Sequence, residues 1–304
     1  MKLHKRLWTF ENITFTIINT SILLLLSALM LYPLLNTLAI SFNDGLDAVK
    51  GGIYLWPRMF SLRNYEIVLN MHTIYNAFII SVCKTIVVTF TNLLFTSILA
   101  YSLSRSDYIF RKPITIIIVL TMYFDAGLIP NYLLIKDLGL LNTFQAYWVP
   151  TIISAFNFIV IRTYMKTIPE SFIESAKLDG AGEFCIWWRI VMPLCKPTLA
   201  VIALFVAVGS WNSWVDTLLY ASRDQNLSTL QFELQKLLAS AMSSSVAQGG
   251  MAGAQAIAGT GGQVTTPYAL RAAITIVAAV PILCVYPFLQ RYFVVGLTIG
   301  GVKE

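Results

Sequence analysis

The sequence has few charged residues: 12% of its 304 residues are Asp, Glu, Lys or Arg. An ordinary soluble domain has roughly a quarter of its residues charged, so most of this chain cannot be a water-facing globule. Two histidines and four cysteines without paired spacing (Cys83, Cys185, Cys195 and Cys284) indicate neither a metal site nor a disulfide framework. The pattern G-x-x-x-x-G-K-[ST] is absent, so ATP binding by a P-loop is excluded.

Long apolar runs are present instead. A bilayer-crossing helix needs about 20 mostly apolar residues, and six runs reach that length: residues 15–41, 74–102, 113–134, 144–165, 198–221 and 271–296. The first is too long for a signal peptide and lacks a small-x-small cleavage site, so we expect a retained span. The third is the weakest, because its apolar core stops at Asp125 and Pro130 is expected to break the helix. The sequence predicts an all-α polytopic membrane protein with six transmembrane helices.

Lys and Arg residues set the expected orientation. They concentrate in the segments that are internal if the N-terminus lies inside, which favours cytoplasmic N- and C-termini. Residues 42–73 and 222–270 then form two long outer loops, the first compact and aromatic.

The second outer loop begins with a helix signal. Ser228 and Gln231 are expected to form a capping box, and Leu230, Leu234, Leu237 and Leu238 recur on one face, which suits a helix along the membrane surface. An Ala-, Gly- and Ser-rich tract follows at residues 239–263. Its composition favours a flexible linker over a finger that contacts a soluble partner or the substrate.

A polar stretch, PESFIESAKLDGAGEFCIWWRIVMPLCKP at residues 169–197, interrupts the apolar runs on the predicted inner side. Pro169 suits the first turn of a helix, and Ala176 and Gly180 are four residues apart and share a face. Gly180 and Gly182 permit a bend, after which a second short helix is expected to stop before Pro193. The residues alone leave two interpretations open: a helix that docks onto a partner, or an amphipathic hairpin at the membrane interface with Trp187 and Trp188.

Glu174-Ser175-Ala176, Gly180 and Ile190-Val191-Met192-Pro193 resemble the EAA signature of ABC-importer permeases, E-A-A-x3-G-x9-I-x-L-P. Ser175 and Met192 depart from it. Three other stretches resemble the carbohydrate branch of the family, similar to the second maltose-type permease: NAFIISVCKT, GLIPNYLLIKDLGLLNTFQAYWVP and YPFLQRYFVVGLTIGGVKE. The combination is most similar to the LplC/YtcP-type subgroup.

The resemblance implies a type I importer permease (MetI-like) fold in the bacterial cytoplasmic membrane. It divides the chain into an N-terminal part at residues 1–72, a core at 73–290 with a coupling hairpin at 169–193, and a cytoplasmic tail at 291–304. The coupling hairpin is expected to seat in a groove of a separate ATPase. The residues that the resemblance assigns to this contact are Glu174, Ser175, Ala176, Lys177, Asp179, Gly180, Ile190 and Pro193.

The resemblance also implies the partners. They are a second homologous permease, a dimeric ABC ATPase that holds ATP and Mg, an extracytoplasmic solute-binding protein and a carbohydrate, while no nucleic acid, bound cofactor or enzymatic activity is expected for this chain. The tail is expected to reach toward the ATPase dimer interface.

Polar and aromatic residues within the runs are candidates for the substrate pathway, since such groups are costly at membrane depth unless they face protein or water. They are Lys84, Asn92, Asn157, Trp211, Asn212 and Asp216. Trp211 is the strongest candidate for contact with sugar rings, and Asp216 is expected to neutralise Lys84. The alternative role is to join helices by hydrogen bonds.

Two other functions compete. An ion-coupled secondary transporter needs intramembrane carboxylates and usually an internal repeat; Asp216 is the one well-placed carboxylate, and no repeat is evident. A membrane enzyme such as a glycosyltransferase needs a cluster of acidic or His residues, which Asp44, Asp47, Asp224 and Glu233 do not form.

Overall fold

The computed structural model describes residues 10–124, 126–247, 257–258 and 264–299. Nearly all of the regular structure is helical, and the longest helices coincide with the longest apolar runs. The α-helices are α1 (Phe10–Ser41), α2 (Gly45–Ala48), α3 (Arg63–Asn70), α4 (His72–Ser104), α5 (Arg111–Leu120), α6 (Leu128–Asp137), α7 (Gln145–Trp148), α8 (Ala155–Met165), α9 (Glu170–Leu178), α10 (Glu183–Ile186), α11 (Met192–Leu194), α12 (Lys196–Asn212), α13 (Val215–Tyr220), α14 (Leu230–Ala247) and α15 (Pro267–Ile299).

Two short strands, β1 (Ile257–Ala258) and β2 (Val264–Thr265), pair antiparallel. Apart from these four residues, the regular structure of the described residues is helical, as the sequence predicts. They fall in the outer loop predicted at residues 222–270.

The chain divides into two compact units. The first comprises residues 1–70 and 237–277. Its predicted compact loop after α1 is ordered by Asn64, whose side-chain amide donates to the carbonyls of Ser41 (3.0 Å) and Asn43 (2.8 Å). Phe42 stacks on Phe60 with ring centroids 5.7 Å apart. Backbone groups that leave a helix are thereby satisfied by a buried amide.

The second unit comprises residues 71–236 and 278–304. The long helix α4 packs against α8 and α12, and it has no Gly or Pro to interrupt it. Its buried positions include polar residues as well as apolar ones, among them Lys84 and Asn92. The apolar core at one end of this unit joins α4 to the hairpin segment through Tyr101, Ile173, Ala176 and Trp187.

Three helices in the described part of the chain are long and apolar enough to cross a membrane: Ile13–Ser41 within α1, α4, and Pro267–Val285 within α15. Two bent pairs pass the same test as broken spans. One joins Gln145–Thr151 to α8 with a 50° bend, and the other joins Glu183–Leu194 to α12 with an 81° bend. The described residues therefore contain three candidate spans, or five if each bent pair is one span, and the six predicted spans are not confirmed.

The third predicted span, residues 113–134, is divided into α5 and α6. The expectation that Pro130 breaks the helix is wrong: Pro130 lies in the first turn of α6, where a missing N–H costs least. The interruption comes earlier, after Leu120, and ends at Gly127, which has a positive φ of 85°. Each half has 10 residues, too few for a span. Asp125 lies outside the described residues.

The helix predicted in the outer loop is present as α14, but its expected capping box is wrong. The Ser228 hydroxyl donates to the carboxylate of Glu233, and the Gln231 amide donates to Asn212 at 3.4 Å. The carboxylate of Glu233, two residues after Gln231, replaces Gln231 as the partner of Ser228. The helix extends to Ala247, into the Ala/Gly/Ser-rich tract. Residues 248–256 and 259–263 lie outside the described part of the chain, as do residues 300–304 of the tail.

Candidate functional sites: a helical hairpin and a polar cavity

The polar stretch forms the helical hairpin that the sequence predicts. Pro169 precedes the first residue of α9, and Glu170 lies in its first turn, where the helix dipole favours an acidic side chain. After α9, residues 179–182 turn the chain into α10. A π-helical turn, Trp187–Val191, then continues into α11.

The first arm of the hairpin, α9, presents one exposed face and one buried face. Glu174 and Ser175 are exposed, whereas Ala176 is buried in a cluster with Ile173 and Trp187. Ala176 was assigned to the ATPase contact, but its small side chain lies within this chain. Leu178, at the end of α9, is 89% exposed. The motif did not single out this exposed apolar side chain.

Gly180 has a backbone reason to be glycine. Its φ is +80°, in the left-handed region, while a Cβ at this position would meet nothing within 4 Å. Gly180 permits the turn between the two arms, and Gly182, with φ −72°, does not need to be glycine for this reason.

The second arm continues further than predicted. Its helical path passes through Pro193 to Leu194 instead of stopping before the proline. The π-helical turn changes the hydrogen-bond register just before this point, and Pro193 falls in the first turn of α11. Ile190 is partly buried against the apolar core, and Pro193 is exposed.

Lys177 makes its polar contacts within this chain. Its ammonium lies 2.8 Å from Glu183 Oε1 and 3.5 Å from Asp107 Oδ2. Glu183 also accepts a 2.5 Å hydrogen bond from the hydroxyl of Tyr101. Asp179, the other predicted flanking residue, is exposed. The motif gave no signal for Tyr101 or Glu183, because their partners are distant in sequence.

The second site is a cavity of ≈ 520 Å³ between α4, α8, α12 and α13. Four of the six predicted pathway residues line it: Lys84, Asn92, Asn157 and Asp216. Tyr147, Ser154 and Ser210 add hydroxyl groups, and Pro150, Ile153 and Val206 add apolar surface. Cavities that bind small molecules have this range of volume and this mixture of surfaces.

Lys84 and Asp216 form the predicted ion pair, with 2.6 Å between Nζ and Oδ2. Lys84 is 2% exposed, and its ammonium also donates to the carbonyl of Ser213 at 3.1 Å. Ser213 lies between α12 and α13, where the helix is interrupted, so Lys84 satisfies a carbonyl that the helix leaves free. The ring of Tyr147 lies 5.0 Å from the ammonium, within the range of a cation–π contact.

Two asparagines continue the polar lining. The side-chain amide of Asn157 donates to Asn92 Oδ1 at 3.0 Å, and the amide of Asn92 donates to the carbonyl of Thr151 at 2.7 Å. Each side chain therefore also joins α4 to α8 or to the turn before α8. The hydroxyl of Ser210 has no hydrogen-bond partner among the described residues.

Trp211 and Asn212 do not line the polar cavity. The indole N–H of Trp211 donates to the carbonyl of Ala278 at 3.0 Å, and its ring packs edge-on against Phe78. Trp211 borders a separate apolar cleft with Thr85, Leu204 and Pro281. Asn212 is exposed and accepts the Gln231 hydrogen bond. The hydrogen bond of Trp211 is typical of a residue that joins helices.

Apolar helices around a polar cavity, with an exposed hairpin at the end of the same helical unit, define a membrane transport subunit. The chain belongs to the family described as binding-protein-dependent transport system inner membrane component, whose model matches residues 94–299. The hairpin and most of the cavity lining lie within the matched region, whereas Lys84, Val88 and Asn92 precede it.

Curated relatives span nearly the whole chain. It is 34% identical over 293 residues to the polygalacturonan/rhamnogalacturonan transport system permease YtcP of Bacillus subtilis, which covers 96% of this chain and 99% of the relative. It is 35% identical over 276 residues to the protein LplC of the same organism, covering 91% and 90%. The arabinooligosaccharide permease AraQ of Halalkalibacterium halodurans is 29% identical, covering 90% and 91%.

A solved structure supports the fold. A chain of a bacterial ABC transporter that imports the acidic polysaccharide alginate superposes with a TM-score of 0.81 at 27% identity, covering 96% of this chain and 100% of that one. The fold is therefore that of an ABC-importer permease.

Proposed function

We propose that this chain is a permease subunit of an ATP-binding-cassette importer that carries an oligosaccharide across the cytoplasmic membrane by alternating access. The observation that carries the proposal is the exposed α9–α11 hairpin with the EAA-type residues, in a chain that belongs to this transport family. An oligosaccharide substrate is proposed because the names of two relatives specify such compounds: polygalacturonan/rhamnogalacturonan for YtcP and arabinooligosaccharides for AraQ.

The hairpin is the surface through which a separate ATPase acts. Glu174, Ser175 and Leu178 are available for this contact because they are exposed, and a rigid helical element transmits a displacement as a unit. ATP and Mg are held by the ATPase dimer. In the proposed importer, the hairpin and both termini lie in the cytoplasm.

A second homologous permease and an extracytoplasmic solute-binding protein complete the importer. An alginate transporter solved in complex with a pentasaccharide-bound periplasmic protein has the same fold, with a TM-score of 0.56 at 15% identity. The solute-binding protein delivers the sugar to a pathway formed by the two permeases together.

The polar cavity contributes this chain's part of the sugar pathway. Sugar hydroxyls both donate and accept hydrogen bonds, and the amides of Asn92 and Asn157 and the hydroxyl of Ser210 offer both roles. The Lys84–Asp216 pair adds polar atoms without net charge. Rearrangement of these bonds during alternating access opens the cavity to the sugar.

An ion-coupled secondary transporter is not favoured. Such a mechanism needs an intramembrane carboxylate that exchanges an ion. Asp216 is the carboxylate that lines the cavity, and its Oδ2 is 2.6 Å from the Lys84 ammonium. A carboxylate neutralised by a fixed cation has little affinity for a second one.

Uptake by the complete importer in proteoliposomes tests the proposal. We expect a labelled oligosaccharide to accumulate only with ATP on the ATPase side and with the solute-binding protein present, and to be insensitive to proton and sodium ionophores. The matched control carries an ATPase variant that binds ATP without hydrolysing it. Accumulation that needs no ATP and collapses with an ionophore would contradict the proposal.

A further inference from the structure

Glu183 connects three segments of the molecule. It is the first residue of α10, and each of its carboxylate oxygens has a different partner: Lys177 on α9 lies 2.8 Å from Oε1, and the hydroxyl of Tyr101 on α4 lies 2.5 Å from Oε2. One side chain thereby joins both arms of the hairpin to the end of the long helix α4.

Lys177 extends this connection to the loop that follows α4. Its ammonium also contacts Asp107 at 3.5 Å. The pKa of Lys177 is raised, chiefly by its hydrogen bond to Glu183, and the pKa of Asp107 is lowered, chiefly by the Ser106 hydroxyl and then by Lys177. Both shifts favour the charged forms. The contact is therefore present at neutral pH and is lost only as the pH falls through the lowered pKa of Asp107 or rises through the raised pKa of Lys177.

The two ion pairs of Lys177 add little to stability. Lys177 and Asp107 are 39% and 73% exposed at their side chains, and Glu183 is 56% exposed. Water screens ion pairs this exposed, so their contribution is small. What these pairs and the Tyr101–Glu183 hydrogen bond fix is position, because each contact requires its donor and acceptor to stay within hydrogen-bond distance.

The helix α4 carries this position to the cavity. Tyr101 is buried in the same cluster as Ala176 of α9 and Trp187. From Tyr101, α4 runs without interruption to Asn92 and Lys84, two residues of the cavity wall. Seventeen residues of α-helix separate Tyr101 from Lys84, a distance of about 25 Å. A displacement of the hairpin that moves Tyr101 therefore moves the cavity wall.

We propose that Glu183, through Tyr101 and Lys177, is a positioning residue that transmits movement of the hairpin to α4 and so links ATP hydrolysis to opening of the cavity. This inference rests on the proposed function. It assigns Lys177 an internal role in place of direct contact with the ATPase.

The test compares sugar uptake with ATP hydrolysis in proteoliposomes of the complete importer. Tyr101→Phe removes one hydroxyl from a residue whose ring stays packed, and Glu183→Gln removes the charge that pairs with Lys177. We expect uptake per ATP hydrolysed to fall roughly fivefold or more in each variant, while hydrolysis itself changes by less than about twofold. The double variant is expected to be no worse than the single ones, because residues of one network are not additive.

A matched control comes from the same region. Tyr108→Phe removes the hydroxyl of an exposed tyrosine in the loop after α4. This change is not expected to alter uptake per ATP. Unchanged uptake per ATP in Tyr101→Phe and Glu183→Gln would overturn the inference, as would a parallel loss of uptake and hydrolysis, which signals detachment of the ATPase. Absence of ATP-driven uptake in the unsubstituted importer would instead refute the proposed function.

Discussion

At the scale of single residues, the EAA-type signature divides into side chains that face outward and residues that shape the hairpin. Glu174 and Ser175 are exposed, Ala176 packs inside, and Gly180 adopts a left-handed conformation. A pattern of small residues in a sequence does not distinguish these roles. Ala176 differs from Ser175 and Lys177 because its side chain is buried. Gly180 differs from Gly182 because its φ is positive.

Replacement of Gly180 by alanine tests the conformational role. A non-glycine residue in the left-handed region costs roughly 1–2 kcal/mol, so we expect Gly180→Ala to distort the hairpin and lower ATP-driven uptake severalfold. Gly182→Ala is the matched control, since φ at Gly182 is −72° and a Cβ there meets nothing within 4 Å. The measurement compares the uptake rates of the two variants at equal abundance in the membrane. Equal uptake by the two variants would show that the left-handed turn is dispensable.

At the scale of helices, the sequence predicts best where an apolar run is unbroken. The first, second and sixth predicted spans correspond to α1, α4 and α15. The third is divided because α5 ends at Leu120 and Gly127, with a positive φ, precedes α6. Periodicity also cannot tell whether Pro130 starts a helix or ends one. Four predicted polar residues meet in one cavity, but Trp211 does not join them. Which face of an all-apolar helix turns toward a cavity is decided by packing against distant helices.

The ion pair between Lys84 on α4 and Asp216 on α13 is expected to contribute to the stability of the importer. Removing one partner of a buried pair costs about 3–5 kcal/mol because the other charge is left uncompensated. We expect Asp216→Ala to destabilise the purified importer more than Lys84→Met, since Lys84 is 2% exposed and Asp216 is 21% exposed and keeps the hydroxyl of Ser213 as a donor. The midpoint temperatures of thermal unfolding in detergent, measured for the two variants, test which of them is less stable.

The double variant Lys84→Met with Asp216→Ala removes both charges and is expected to recover part of the lost stability. Lys236→Met serves as the control, because its pair with Glu233 is more exposed at the lysine, 44%, and is worth less than about 1 kcal/mol. A double variant less stable than either single one would contradict the assignment of a charge pair.

At the scale of the whole molecule, the hairpin and the cavity lie at different positions along α4. Glu183 and Tyr101 tie the hairpin to the helix that carries Lys84 and Asn92. In the proposed importer the ATPase acts on the hairpin and the sugar passes the cavity, so the proposal requires that displacement of the hairpin be transmitted along α4.

Cross-linking at the end of α9 tests the central claim most directly. Leu178, 89% exposed, is replaced by cysteine in a chain whose four native cysteines are removed, and the complete importer is treated with a short bifunctional thiol reagent. The account predicts a product that joins Leu178→Cys to a cysteine placed in the ATPase surface, and protection of this position from membrane-impermeant reagents added outside intact cells. Labelling of position 178 from outside the cell, with no product to the ATPase, would contradict it.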